Sequence, residues 1–274
     1  MASDYSNITV VGIHGNGGAE RLIPAIEKTA QALPGSQTLL ITDRLVNTHI
    51  PQHLLVSGLN YSGYSHFVVY CLHSFINTEF VLIVQDDGWA LNPKAWQDEF
   101  MNYDYIGGLT HAGLKDNKFY KLFSWVDVEG VRVVQNGGFS LRSKRLLEAP
   151  SKYGIVMTVV DQVELNNEDI QLCCFMRPAL EAVGLKFAPN ELSKYFSFEH
   201  LYDRLHNDME LTQIFGHHSR FRRLKENMTM EWLLTDDEMK MIVWEDKALQ
   251  LFKNYGYKIC YPNSLKEKLE PALS

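Results

Sequence analysis

One stretch of the chain is apolar without alternation and stops abruptly at charged residues. Phe80 to Val84 (FVLIV) is a run of five apolar residues, and Gln85-Asp86-Asp87-Gly88 follows it directly. An unbroken apolar run of this length is typical of a central strand whose two faces are both covered. Ligands of open α/β sheets bind at the carboxyl ends of such strands. The pattern therefore predicts a buried strand that ends at a polar site.

Two further strands are predicted nearer the N-terminus. Residues 8–13 (ITVVGI) precede a glycine-rich loop that begins at His14, and an amphipathic helix follows the loop. Residues 38–42 (TLLIT) predict another buried strand, which ends at Asp43. Because these strands also end in polar residues, we expect His14 and Asp43 to share one edge of the sheet with the two aspartates.

The adjacent carboxylates of Asp86 and Asp87 need an explanation. Two such groups repel one another unless a cation, a proton or a hydrogen-bond donor neutralises them. The pair therefore indicates either a divalent metal or a shifted pKa. The alternative is a solvated Asp-Asp-Gly turn, because Asp-Gly is a common turn sequence.

The middle of the chain predicts a helix, a short strand and a long loop. Residues 64–76 have the length of a helix, and residues 103–108 predict a short strand that ends in a glycine turn. Residues 109–129 are mixed and aromatic, so we expect a loop over the cleft. In Asn136-Gly137-Gly138 the glycines would let a ligand approach the backbone, although Asn-Gly is also an ordinary hairpin turn.

Acids and histidines supply the remaining candidate chemistry. Asn166 and Asn167 precede Glu168 and Asp169, which is a good start for a helix over residues 170–183. By themselves the two acids are better explained as capping residues that complement the helix dipole. In Gly216-His217-His218, neighbouring histidines cannot both face one metal, so at most one is a ligand. Thr235 and Glu238 form a capping box that predicts a C-terminal helix to residue 255.

Composition narrows the function classes. The 274 residues carry a formal net charge of -7, which argues against a general nucleic-acid binder. The start of the chain is polar, and no apolar run approaches the length of a membrane span, so a soluble, cytoplasmic protein is expected. The four cysteines have neither zinc spacing nor the density of a disulfide framework, which predicts reduced, structural thiols.

Taken in order, the motifs resemble those of a known enzyme class. Q-D-D at a strand end, Y-D-Y-I-G, N-G-G-F-S-L-R, E-D and G-H-H resemble a bacterial and viral family of GT-A nucleotide-sugar glycosyltransferases. They are similar, more distantly, to the β-1,4-galactosyltransferases. The resemblance covers roughly residues 80 to 220. It implies an α/β fold of the GT-A type: a Rossmann-like, mixed, mostly parallel sheet flanked by helices. Residues 1–220 would form the catalytic domain, and residues 221–274 a helical extension packed on it.

The resemblance also implies roles for individual residues. Asp87 and His218 would hold Mn²⁺ or Mg²⁺, and Asp169 would be the catalytic base. Gln85 stands where the usual D-x-D motif has its first acid, which reduces the negative charge available to a metal. The residues implied to contact the nucleotide sugar are His14, Asp43, Gln85, Asp86, Gly137, Gly138 and Glu168.

The implied reaction moves a sugar from a nucleotide-diphosphate sugar to a hydroxyl of a glycan, polysaccharide or glycoconjugate, with inversion. A sugar hydroxyl is a poor nucleophile at neutral pH, so a carboxylate must accept its proton. The aromatic region from Tyr103 to Trp125 is predicted to contact the acceptor, and the alternative is that its aromatic residues only pack on the core. One alternative is an inactive sugar or nucleotide binder with the same cleft, and another is a metal-dependent phosphoester hydrolase using Asp86 and Asp87. Peripheral membrane association and the oligomeric state are left open.

Overall fold

A ten-stranded mixed sheet forms the centre of the computed structural model, which describes residues 4–55, 57–158, 163–226, 228–234 and 245–261. The strands are β1 Ile8–His14, β2 Gln37–Thr42, β3 Gln52–Leu54, β4 Phe80–Val84, β5 Gly88–Ala90, β6 Tyr105–Lys115, β7 Lys118–Tyr120, β8 Arg132–Ser143, β9 Ser197–Phe198, β10 Gly216–His218, β11 Arg222–Glu226, β12 Thr229–Trp232 and β13 Lys258–Cys260. The order in the large sheet is β3-β2-β1-β4-β8-β6-β9-β10-β5, with β7 paired to β6.

Helices flank this sheet. They are α1 Ile23–Ala32, α2 Tyr61–Tyr70, α3 Lys144–Tyr153, α4 Glu168–Ile170, α5 Arg177–Ala182, α6 Asn190–Phe196, α7 Asp203–His206 and α8 Glu245–Asn254. Short 3₁₀ turns cover Ala19–Leu22, Leu72–Phe75, Pro93–Ala95, Asp98–Asn102, Val163–Asn166 and Leu211–Gln213. The predicted α/β class, with a mixed sheet between helices, is confirmed. In the part of the chain that the structure describes, no helix is both long and apolar enough to cross a membrane.

Strand β4 is buried on both faces, as its unbroken apolar run predicts. All five of its residues are buried. Leu82 and Val84 belong to the same apolar cluster as Ile26 of α1, on one face of the sheet. Val81 and Ile83 belong to the cluster that contains Phe67 and Val68 of α2, on the other face. β1 pairs with β4 in parallel register, so both strands end at the same edge of the sheet.

The predicted loop over residues 109–129 is wrong in its first half. β6 continues to Lys115 and turns at Asp116 and Asn117, both with positive φ, into β7. Gly107 and Gly108 are inside this strand rather than in a turn. A Cβ at either glycine would collide with the backbone of β8 or β9, so they permit close strand packing. A glycine pair in a sequence does not separate these two uses.

The N-G-G motif lies inside β8, so the hairpin alternative for Asn136-Gly137 is also wrong. β8 pairs antiparallel with β4, with Phe139 opposite Val84. Gly138, the residue before Phe139, lies beside Gln85, since a Cβ at Gly138 would be 2.5 Å from Oε1 of Gln85. The pairing of β8 with β4 thus places the two glycines next to the C-terminal end of β4, close to Asp86 and Asp87.

The helix predicted over residues 170–183 begins earlier and is interrupted. α4 starts at Glu168, and a π-helical turn follows, in which the Met176 amide donates to the Gln171 carbonyl at 2.7 Å. α5 resumes the helix with Pro178 in its first turn. Proline has no amide hydrogen to donate to the preceding turn, which accounts for a break at this point.

The C-terminal extension is only partly helical, contrary to the expectation for residues 221–274. β11, β12 and β13 form a separate three-stranded sheet, and α8 follows β12 in sequence. Trp232 and Phe252 are buried in the same apolar cluster as β1 and α1, so this part does pack on the main domain. The predicted capping box of Thr235 and Glu238 lies outside the described residues.

Candidate active site

A cavity of about 400 Å³ lies at the carboxyl ends of β1 and β4. His14, Gln85 and Asp86 line it, as expected for residues that end neighbouring parallel strands. The first turn of α2 supplies Tyr64, whose hydroxyl accepts a hydrogen bond from the Gln85 side-chain amide at 3.2 Å. Asp43 follows β2 at this edge but is not among the residues that line the cavity.

A carboxylate and an imidazole meet beside this cavity. β10 runs antiparallel to β5 with His218 opposite Gly88, and the Ser219 amide donates to the Asp87 carbonyl at 2.8 Å. This pairing places Nε2 of His218 at 3.3 Å from Oδ1 of Asp87 and at 3.1 Å from Oε1 of Gln85. The structure therefore brings together the two residues that the resemblance implies as metal ligands.

The two side chains form an ion pair. Burial alone would raise the pKa of Asp87, but the charge of His218 and its hydrogen bond hold that pKa below the ordinary value. Burial alone would lower the pKa of His218, but Asp87 raises it to about 9. Burial, and next the repulsion from Asp87, raise the pKa of Asp86. Asp86 also faces Arg223, whose Nε is 3.6 Å from Oδ2.

The same pair fits a divalent cation. Oδ1 of Asp87 is buried and faces Nε2 of His218 at 3.3 Å, so one cation placed between them would contact both atoms. Ligand atoms at right angles and about 2.1 Å from one cation are about 3 Å apart, close to the spacing of Oδ1 and Nε2. An oxygen and a nitrogen donor suit Mn²⁺ better than Mg²⁺. Binding would displace the proton of His218.

The two glycines of β8 keep the space around these side chains open. A Cβ at Gly138 would collide with His218 and Gln85, and one at Gly137 would collide with Glu168. Only the absence of a side chain allows the polar groups to approach the backbone here.

Asp169 lies against the first of these glycines. Its Oδ2 accepts a hydrogen bond from the Gly137 amide at 3.2 Å, and its Oδ1 accepts one from the Ile170 amide at 2.7 Å. Burial, and next the repulsion from Glu168, raise the pKa of Asp169 to about 7. A carboxylate with such a pKa can both take up and release a proton near neutral pH.

Glu168 has a structural partner. Its Oε1 accepts a hydrogen bond from Nη2 of Arg142 at 2.8 Å, and Arg142 is fully buried. Nη2 is also 3.4 Å from the Gly137 carbonyl. This ion pair joins α4 to β8 and so positions Asp169, while the predicted contact of Glu168 with a sugar remains a prediction.

Sequence reasoning misses two residues at this site. Tyr64 lies in the first turn of α2, whose N-cap Asn60 accepts from the Gly63 amide at 2.8 Å. Asn60 is a typical N-cap residue, so the sequence does contain a signal that Tyr64 lies in the first turn of a helix. Glu199 directly follows β9 and acts electrostatically on both Asp169 and His218. It repeats the pattern of an acid at a strand end, but β9 is too short to stand out.

The perturbed carboxyl of Asp169 has a consequence for stability. The pKa is about 7 in the folded protein against an ordinary 3.8, so Asp169 stabilises the fold fully below pH 3.8. That contribution is lost as the pH rises towards 7, because the buried group must ionise. We therefore expect Asp169→Asn to raise the free energy of unfolding at pH 8 by on the order of a few kcal/mol, and to raise it by less than half as much at pH 5. Urea unfolding at the two pH values measures this, and equal effects at both would contradict it.

Comparison with known proteins assigns the chain to a family. Residues 48–218 match the family described as "Protein of unknown function (DUF5672)". The chain belongs to this family. The matched region contains Asp87, Gly137, Asp169 and His218, whereas His14 and Asp43 precede it. None of the curated proteins matches the chain significantly.

Among solved structures, the chain is similar to the bifunctional IspDF from Campylobacter jejuni. The identity is 9%, the TM-score is 0.36, and the alignment covers 77% of this chain and 52% of that one. The chain thus spans about half the length of that protein. A likeness at this level carries no argument about function, so a functional proposal for this DUF5672 member depends on the site itself.

Proposed function

We propose that this DUF5672 protein is an inverting glycosyltransferase, which moves a sugar from a nucleotide-diphosphate sugar to a hydroxyl acceptor. One observation carries the proposal. Asp169 and the Asp87–His218 pair contact consecutive glycines of β8, Asp169 through the Gly137 amide and His218 against Gly138. A base and a cation site next to the same open stretch of backbone are what a direct displacement at a sugar carbon requires. The resemblance to GT-A glycosyltransferases and the position at the sheet edge agree with it.

Asp169 is the proposed catalytic base. It would accept the proton of the acceptor hydroxyl as that oxygen attacks the anomeric carbon and the bond to the diphosphate breaks. The hydrogen bonds from the Gly137 and Ile170 amides fix the orientation of the carboxylate. The neighbouring Glu168 accepts a hydrogen bond from Arg142, so it is not the proposed base.

The donor would occupy the cavity next to His14, Gln85 and Asp86. A volume of about 400 Å³ falls within the range of small-molecule sites. Mn²⁺ or Mg²⁺ held by Asp87 and His218 would, when bound, stabilise the negative charge of the leaving nucleoside diphosphate. Gln85 is fixed by Tyr64 and His218, so an amide oxygen rather than an acid faces the cation position.

The acceptor is proposed to be a glycan, polysaccharide or glycoconjugate that contacts the region from Tyr103 to Trp125. Part of that region is ordered by aromatic contacts, since the rings of Phe123 and Tyr202 stack at 4.3 Å with an interplanar angle of 12°. A cytoplasmic location is part of the same proposal.

A second candidate is an inactive binder of sugar nucleotides. The amide at Gln85 favours it, because the site then lacks one negative ligand of the usual motif. A phosphoester hydrolase is less well supported. Such an enzyme requires further carboxylates clustered around Asp86 and Asp87. In the described part of the chain, the group of three potential metal ligands contains neither of these aspartates.

A screen of nucleotide sugars tests the proposal. We expect one class of sugar nucleotide to raise the melting temperature, more strongly with Mn²⁺ than without, because a ligand of the native state stabilises it. Asp87→Asn should weaken the Mn²⁺-dependent affinity for the donor by about tenfold or more. Asp208→Asn, which changes an exposed acid, is the matched control and should behave like the wild type.

The outcomes separate the candidates. Release of nucleoside diphosphate over a panel of acceptors supports the transferase. Donor binding without release over a broad panel supports the inactive binder. Stabilisation by no nucleoside diphosphate or sugar nucleotide would contradict both.

A further inference from the structure

Three side chains with metal-binding chemistry converge beside the candidate active site. His111 lies on β6, and Glu199 and His200 directly follow β9. One nitrogen of each histidine and one carboxylate oxygen lie within 4.8 Å of one another, and all three residues are half-buried. The strand register explains the convergence, because Phe198 of β9 lies opposite Leu109 of β6. The two strands therefore bring His111 and the residues after Phe198 to the same level.

A buried carboxylate orients one of the two imidazoles. Nδ1 of His200 is 3.5 Å from Oε1 of Glu245, and Nε2 of the same ring is 3.9 Å from Oε1 of Glu199. Glu245 has no exposed surface and is held by Arg222 at 2.7 Å. A carboxylate can only accept a hydrogen bond, and Glu245 is the nearer of the two, so Nδ1 is the nitrogen placed to donate to Glu245. Nε2 is then the nitrogen on the side of Glu199.

This arrangement is that of a metal ligand with its outer partner. Histidines that bind metals usually donate the other ring N–H to a carboxylate, which fixes the ring and its tautomer. Glu245 would play this part for His200. Two imidazoles with one carboxylate, and a fourth position left for water or another ligand, are a known donor set for zinc. Mg²⁺ and Ca²⁺ prefer oxygen donors instead.

We infer that His111, Glu199 and His200 form a binding site for Zn²⁺ or a similar late first-row divalent cation, with Glu245 positioning His200. Donor atoms around a tetrahedral zinc are about 3.3 Å apart, so the three side chains must close by at most about 1.5 Å on binding. Their partial exposure leaves room for that movement. The cation would join β6 to the segment after β9.

The site shares no ligand with the Asp87–His218 pair, although Glu199 also acts electrostatically on His218. It offers three protein donors instead of two, so it needs no phosphate oxygen from a substrate to hold a cation. Phe221 packs on His200 at 5.9 Å between ring centroids, and Phe123 lies 6.4 Å from His111, so aromatic rings flank the site. The inference stands whether or not the protein transfers sugar.

Metal titration of the full-length protein tests the inference. The protein is stripped with a chelator and titrated with Zn²⁺ by calorimetry, and with Co²⁺ by visible absorption, which reports coordination directly. We expect tight binding of Zn²⁺ and a Co²⁺ absorption band in the wild type. His111→Asn and His200→Asn should each weaken Zn²⁺ binding at least tenfold and abolish the band. His66→Asn, which changes an exposed histidine of α2, should bind like the wild type.

A double variant, Asp87→Asn with His218→Asn, locates the bound cation. Retention of the Co²⁺ band in this variant supports the site, and its loss there assigns the band to the other pair and overturns the inference. Unchanged Zn²⁺ affinity in both His111→Asn and His200→Asn also overturns it, as does a wild type that binds neither cation. Circular dichroism shows that each variant is folded. If His200→Asn unfolds because of its contact with Glu245, His111→Asn alone decides the outcome.

Discussion

Replacing Asp169 by asparagine is expected to lower turnover by about 10²- to 10⁴-fold, while the affinity for the donor stays within about twofold of the wild type. The asparagine has the same shape and can still accept a hydrogen bond from the Gly137 amide, which Asp169 accepts at 3.2 Å. It cannot take up a proton from an acceptor hydroxyl. Release of nucleoside diphosphate at saturating substrate measures turnover, and calorimetry with the donor measures affinity.

The matched control is an acid outside the site. Asp208→Asn changes an exposed acid, so near-normal turnover is expected there. In the wild type, kcat should fall as the pH drops below about 7, because the carboxyl of Asp169 has a pKa of about 7 and must be ionised to act. Near-normal turnover by Asp169→Asn with unchanged donor binding would remove Asp169 from the role of base.

The parts of the fold that follow local patterns could be predicted from the sequence. The unbroken run from Phe80 to Val84 requires apolar partners on both faces, and α1 and α2 supply them. Strand ends placed His14 and Asp86 at one edge because parallel strands must end together. These predictions depend on periodicity and burial, which neighbouring residues express in one stretch of sequence.

The remaining features depend on contacts between distant segments. Gly107 and Gly138 look alike in sequence, but one clears space for a neighbouring strand and the other for His218. His111 and His200 are 89 positions apart and meet only because β9 pairs with β6 over a single register position. No local pattern announces such a pairing. The same reason applies to β11 and β12, whose sheet stands where a helical extension was expected.

Tertiary contacts also decide which charged residues are structural. Arg142 and Arg222 are both fully buried, and each is paired with a glutamate. The first pair positions the turn that carries Asp169, and the second positions His200. Because arginines are mostly exposed in proteins, the sequence alone would not predict that either arginine is buried and paired. In both cases the buried ion pair positions a neighbouring side chain, and the charges of the pair are not themselves proposed as ligands or as a base.

Removing the Glu245 carboxylate is expected to have the largest effect on stability. Nη2 of Arg222 donates to both oxygens of Glu245, at 2.9 and 2.7 Å, and neither side chain has exposed surface. The rings of Phe198, Trp232 and Phe252 surround the guanidinium, with centroids 5.2 to 5.4 Å from its carbon. Glu245→Ala leaves this cation buried without a counter-charge. We therefore expect a loss of about 3–5 kcal/mol in the free energy of unfolding, measured by urea denaturation.

A double variant distinguishes the destabilisation caused by an unpaired buried charge from the stabilisation contributed by the ion pair itself. Arg222→Met with Glu245→Leu replaces both charges by apolar groups of similar volume, so most of the stability lost in Glu245→Ala should return. Glu181→Ala, which opens the half-exposed pair with Arg177, should cost about 1 kcal/mol or less. A double variant as unstable as Glu245→Ala would mean that the pair itself, rather than the isolated cation, holds β11 to α8. A loss in Glu245→Ala no larger than that of Glu181→Ala would mean that water reaches Arg222 when its partner is removed.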